Sequence, residues 1–225
     1  YKSTDTGATY SAFTNGLDQD EGLTIRNFTV VKIDDVKTIF MSCELDAGVQ
    51  GDEFSKVKGL VYKTIDGGLN WTKAWEGESL ARWLEPIPSA TNPDRLVLAT
   101  GIFDREAFNT NGEGILVSTD NGESWNNSKE GLSNSLFGGG RDCSSESPNM
   151  ILIGTGNNSD TRKGINGGIY KSVDGGATWT LKLGIANGDE VQDKFTAIQF
   201  SESDPEIVYA ANEIAVYRSD DSGET

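Results

Sequence analysis

Histidine is missing altogether from this chain of 225 residues. That removes every Ser-His-Asp arrangement and every zinc held by imidazole. Cysteine is nearly as scarce, with Cys43 and Cys143 the two present, so a four-cysteine zinc site is excluded too. There are 5 prolines against 27 glycines, and no apolar stretch approaches the roughly 18 residues that a membrane span needs. Basic residues number 19 against 35 acidic ones, a formal net charge of −16. Such a surface repels phosphate backbones and argues against a nucleic-acid partner. Any catalysis therefore rests on carboxylates, tyrosine, lysine or a cation held by oxygen ligands. The length suffices for one large all-β domain or two small ones with a substantial core.

What the chain does have is a repeat. The pattern Ser/Thr-x-Asp-x-Gly-x-polar-aromatic runs through Ser3-Thr4-Asp5-Thr6-Gly7-Ala8-Thr9-Tyr10 and Thr64-Ile65-Asp66-Gly67-Gly68-Leu69-Asn70-Trp71. It returns in Ser118-Thr119-Asp120-Asn121-Gly122-Glu123-Ser124-Trp125, in Ser172-Val173-Asp174-Gly175-Gly176-Ala177-Thr178-Trp179, and in Ser219-Asp220-Asp221-Ser222-Gly223-Glu224-Thr225. Successive anchoring aspartates, from Asp5 to Asp221, lie 61, 54, 54 and 47 residues apart. Asp-Gly, Asn-Gly and Gly-Gly pairs enter positive φ at little cost, which suits a tight hairpin. The carboxylate and the hydroxyl can bond the turn's own amides, and the closing ring can pack on the sheet.

Apolar runs frame each later copy. Gly59 to Lys63, Gly114 to Val117, Gly168 to Lys171 and Ala215 to Arg218 read as strands entering the turn. Upstream strands are expected at Thr38 to Met41, Leu96 to Ala99, Ile151 to Gly154 and Ile207 to Ala210, the last three after prolines. Four short strands in roughly 50 residues make one propeller blade, with the motif between third and fourth strands. The expected division is 1–25 for the end of one blade, 26–80, 81–135 and 136–190 for whole blades, and 191–225 for an incomplete one. The chain opens and closes inside the motif, so we expect a partial propeller with further blades beyond it. By this register Cys43 and Cys143 sit two blades apart and stay as buried free thiols.

The motif is that of the Asp-box, or bacterial neuraminidase repeat, and the chain resembles Asp-box β-propellers over nearly its whole length. Gly167 to Trp179 and Ser203 to Ala210 are most similar to the xyloglucanase-type glycoside hydrolases and the sortilin-type receptors. The resemblance implies an all-β propeller, extracellular or on the cell surface, with a polysaccharide or a cell-surface protein as partner. It leaves two functions open: a non-catalytic binding scaffold, and a hydrolase that cuts β-glucan with two carboxylates. No family catalytic residue maps onto a matching motif here. Sialidases use an arginine triad, and basic residues recur just ahead of first strands at Arg26, Arg82 and Lys194, with Arg141 nearby, either in that role or as edge charges that balance neighbouring acids; the Phe-Arg-Ile-Pro signature is absent.

Within each blade the first-to-second connections and the Asp-box turns share one face and are expected to be short and regular. Those joining second and third strands, 44–58, 102–113 and 156–166, are long and polar, while 212–214 is minimal. Glu44, Asp46, Asp52, Glu53, Asp104, Glu106, Glu113 and Asp160 collect there, either as a solvated rim or as the source of an acid–base pair. Arg82 and Trp83 join them as ligand candidates, Trp83 either stacking a sugar at the channel mouth or packing in the core. The Asp-box residues Asp5, Asp66, Trp71, Asp120, Trp125, Asp174, Trp179 and Asp221 are expected to be structural. No cofactor is required, although Asp104 to Glu113 or Asn157 to Asn166 offers oxygens suited to calcium. Asn-x-Ser/Thr triplets begin at Asn27, Asn70, Asn126 and Asn157.

Overall fold

In the computed structural model of the chain, the described residues are 1–18, 22–33, 35–45, 58–78, 81–86, 95–100, 113–132, 137–147, 149–156, 167–184 and 195–225. They form fifteen strands in antiparallel sheets. The first blade holds β1 (Thr24–Ile33), β2 (Val36–Leu45), β3 (Lys58–Thr64) and β4 (Thr72–Gly77). The second holds β5 (Ala81–Pro86), β6 (Leu96–Thr100), β7 (Ile115–Ser118) and β8 (Asn126–Ser128). In the third stand β9 (Phe137–Cys143), β10 (Ile151–Thr155), β11 (Gly168–Ser172) and β12 (Thr180–Gly184). A fourth sheet has three strands, β13 (Ala197–Phe200), β14 (Val208–Ala211) and β15 (Val216–Ser219). Strand order follows chain order in every sheet, so each blade is a meander. This is the expected β-propeller architecture, with the motif turn between third and fourth strands.

Middle strands read as unbroken apolar runs because both their faces are covered. Leu96–Thr100 and Ile151–Thr155 are buried at every position. Alternation then decides which seam each side chain fills. Leu96 and Leu98 point to the seam between blades one and two, while Val97 and Ala99 join the seam between two and three. Ile151 and Ile153 face blade two, and Leu152 faces the fourth sheet. The core is thus a row of slabs between neighbouring blades. Cys143 belongs to one slab and Cys43 to another, both buried and both free.

One expectation changes. The first-to-second connections are not uniform: two residues separate Ile33 from Val36, whereas 87–95 separates Pro86 from Leu96 and 144–150 separates Cys143 from Ile151. The motif turns alone hold their length, as in 65–71, 119–125 and 173–179.

Candidate functional site

Each motif turn is closed by its own side chains. The Ser or Thr hydroxyl donates to an Asp Oδ1, at 2.7 Å for Ser3–Asp5, Thr64–Asp66 and Ser172–Asp174, 2.8 Å for Ser118–Asp120 and 2.6 Å for Ser219–Asp221. The same hydroxyl oxygen accepts the amide of the glycine two after the Asp, for example Gly122 at 2.8 Å and Gly176 at 2.8 Å. The residue four after the Asp returns its amide to Oδ1 and its side chain to Oδ2, as Thr178 does at 2.9 and 2.6 Å. Both carboxylate oxygens are therefore engaged. Hydrogen bonds from Thr9 and Ser3 hold Asp5 down at about 2, and bonds from Asn70 and Thr64 depress Asp66 further. At Asp120 and Asp174 desolvation pushes upward, yet the hydrogen bonds still leave both below the usual value.

The residue after each Asp sits in the left-handed region, at φ of 57° for Thr6 and Asn121 and 58° for Ser222, where Gly67 and Gly175 take 73° and 74°. Indole nitrogens tie the turns to the preceding blade. Trp71 Nε1 donates to the Phe13 carbonyl at 3.1 Å, and Trp179 Nε1 to Ser128 Oγ at 2.9 Å. A feature not read from the sequence accompanies them. The Asn15 and Glu130 carbonyls accept the main-chain amides of Trp71 and Trp179, both at 2.9 Å, because Gly16 and Gly131 turn the chain there. A Cβ on either glycine would run into the tryptophan carbonyl. The signal was available: each glycine follows its box aromatic by six residues.

The nominated ligand residues scatter. Glu44 belongs to β2 rather than to a loop, is 0 % exposed and is ion-paired with Arg26 of β1. Arg26 and Arg82 lie inside first strands rather than ahead of them, the Arg82 side chain falling outside the described set. Trp83 is 3 % exposed and packs with Val97, Ile115, Cys143 and Trp179, so it is core and not an open platform. Glu113 accepts Asn127 Nδ2 on its carbonyl at 2.6 Å. Asp46, Asp52, Glu53, Asp104, Glu106, Asp160 and Lys194 lie outside the described residues, as does nearly all of both candidate calcium loops. Among the described residues no three acids or thiols converge as a metal group. Two triplet asparagines have engaged amides, Asn27 Nδ2 on the Leu84 carbonyl and Asn70 Nδ2 on Asp66 Oδ2, both at 2.8 Å.

What the structure does bring together is a polar cluster on first strands, near the ends that lead towards the motif face. The Arg141 guanidinium lies 5.0 Å from the centre of the Trp83 ring. Burial raises the Glu85 carboxyl; Arg141 and a hydrogen bond from Trp83 oppose the rise and Asp142 adds to it. Asp142 is raised by burial too, against amide bonds from Phe200 at 2.7 Å and Cys143 at 2.9 Å. Half-buried carboxyls raised by burial beside a cation are candidates for proton transfer. Sequence reading missed Glu85 and Asp142, because the neighbours that bury them, Arg141 and Trp83 for one and Phe200 for the other, depend on blade packing.

No protein-family model and no curated protein matches the chain. Solved structures do. An ancestral GH74 enzyme aligns over 93% of this chain with a TM-score of 0.57 and 14% identity. A Dyadobacter fermentans protein of unknown function aligns over 91% with a TM-score of 0.53 and 16% identity. The chain spans 23% of the first and 68% of the second. At these identities the likeness is one of fold.

Proposed function

We propose that this chain is part of an exported Asp-box propeller that serves as a non-catalytic scaffold, presenting its second-to-third-strand connections to a glycan or a cell-surface protein. One observation carries the reading: the motif turns and the second-to-third-strand connections behave differently. On one edge the motif turns keep one length and one closed set of hydrogen bonds. On the other, the connections 46–57, 101–114, 156–167 and 212–215 differ in length and sequence. Variable loops on a rigid frame are where recognition resides. The test is glycan-array binding paired with thermal melting. Asp46→Ala or Asp104→Ala should weaken binding and leave the melt unchanged, and Asp120→Ala should lower the melt. Loop variants that bind like the parent would overturn the assignment.

The Glu85 cluster favours a second reading, hydrolysis of β-glucan by two carboxylates. Glu85, half-buried and with its carboxyl raised by burial, would act as the acid. If that is its role, Glu85→Gln abolishes polysaccharide turnover without lowering the melting temperature. Turnover that survives this variant rules Glu85 out.

A further inference from the structure

The first strands of neighbouring blades meet in two different ways. Between blades one and two, Asn27 Nδ2 and Thr29 Oγ1 of β1 both donate to the Leu84 carbonyl of β5, at 2.8 and 2.7 Å. Between the third blade and the fourth sheet, the Gly140 amide of β9 donates to the Phe195 carbonyl at 3.0 Å, and Asp142 Oδ2 accepts the Phe200 amide of β13 at 2.7 Å. At the seam between blades two and three, side chains meet instead. Trp83 and Glu85 stand two residues apart and share one face of β5, as Arg141 and Cys143 share one face of β9. Trp83 and Cys143 lie in the same slab of core, so these two faces look at one another.

The indole of Trp83 sets the spacing of the charges there. Its N–H donates to the Glu85 carboxyl, and its face carries the Arg141 guanidinium, 5.0 Å from the ring centre. The carboxyl is held beside the ring and the cation above it. Among the described residues the two form no ion pair, although the Arg141 charge still acts on Glu85. Asp142, the neighbouring acid, has one oxygen taken by the Phe200 amide and the other by the Cys143 amide. Arg141 is exposed, and its N–H groups meet no acceptor among the described residues. Glu85 is half-buried, and a carboxylate holds more acceptor sites than the single indole bond fills.

A ligand that bridges these two groups must accept from a guanidinium and donate to a carboxyl. A hydroxyl does both, and two hydroxyls on adjacent carbons of a sugar ring do so together. An anion is disfavoured, because a further carboxylate would meet Glu85, Asp142 and a net charge of −16. We propose that Glu85, Arg141 and Trp83 form a binding site for the vicinal diol of a neutral sugar at the seam between blades two and three. Glu85 accepts from the diol, Arg141 donates to it, and Trp83 holds both groups in position. The site lies near the motif ends of the first strands, away from the second-to-third-strand connections, so it does not rest on recognition by those loops. It concerns binding alone and holds whether or not Glu85 also acts as an acid.

The test is titration of the intact chain with cellotetraose and with β-linked mannotetraose, which carry trans and cis diols. Binding is followed by calorimetry and through the assigned Trp83 indole N–H signal in the nuclear magnetic resonance spectrum. At least one of the two sugars should bind and shift that signal, and an anionic hyaluronan tetrasaccharide should do neither. Arg141→Met keeps an apolar stem on the ring but removes the donors. It should weaken binding about tenfold or more, as the loss of a hydrogen bond from a charged group does, at unchanged melting temperature. Arg141→Lys, which keeps the cation and loses the planar fork, should weaken binding as well. Asp46→Ala and Asp104→Ala should leave the Trp83 shift as in the parent, which tells loss of loop recognition from loss of this site. The proposal is overturned by an unmoved Trp83 signal with both neutral sugars, by parental affinity in Arg141→Met, or by tighter binding of the anion.

Discussion

At the scale of single residues the repeats serve as controls for one another. Ser128 Oγ accepts the indole N–H of Trp179 and donates to the Gly176 carbonyl. Ser128 stands three residues after its own box aromatic, and in the first blade that place belongs to Ala74. Trp125 Nε1, which would look for that hydroxyl, is buried with no acceptor among the described residues. An orphaned buried donor costs about 1–3 kcal/mol, and a neutral hydrogen bond recovers about 1 kcal/mol. Ala74→Ser should therefore raise stability by about 1 kcal/mol. Ser128→Ala should lower it by about 1–3 kcal/mol, since it strands both a donor and an acceptor. Denaturant titrations of the two variants check this, and equal small effects would show that the repeats are not equivalent at this position.

At the scale of elements, neighbouring motif turns are joined by charge. Lys63, just before one motif, pairs with Glu123 of the next, and Lys171 pairs with Glu224 in the same relation at 2.6 Å. Burial separates their worth. The Lys171 side chain is 3 % exposed and Glu224 also binds Lys182, whereas Glu123 is 72 % exposed. Glu224→Gln leaves a buried cation without its carboxylate and should cost about 1–3 kcal/mol, while Glu123→Gln should cost less than about 1 kcal/mol. Chemical denaturation decides between this order and the reverse. The carboxylates also set two opposing pH trends. Motif aspartates titrate below the ordinary 3.8, Asp5 at about 2, so the stability they contribute is complete above 3.8 and is lost as pH falls through their folded values. Glu85, raised above its usual 4.5 by burial, binds its proton more tightly when folded, so its contribution declines as pH rises through that raised value. Glu85→Gln should accordingly raise the melting temperature at neutral pH, with the gain vanishing below 4.5. A gain that is constant across pH would show that the charge plays no part.

For the whole molecule the test of register lies in the two thiols. Cys43 is 0 % and Cys143 9 % exposed, and burial pushes the Cys43 thiol up to about 12. Neither sulfur is a thiolate at neutral pH or open to a reagent. Both cysteines should therefore resist alkylation in the native protein and label fully in denaturant, with no disulfide found by non-reducing peptide mapping. Rapid native labelling of either would mean that a seam between blades opens.

The turn geometry, the position of each motif between third and fourth strands, and the free cysteines were legible in the sequence because they depend on local spacing. A Ser-x-Asp-x-Gly run carries its own donors and acceptors, and it closes the same way wherever a hairpin presents it. What only the tertiary structure decided depends on which blade lies beside which. It set Trp83 in a slab of core and brought Glu85 of one blade within reach of the Arg141 charge of the next. Alternation along a strand assigns a residue to one of two faces, but the neighbour on that face comes from another repeat some fifty residues away, and no pattern within a single repeat encodes it.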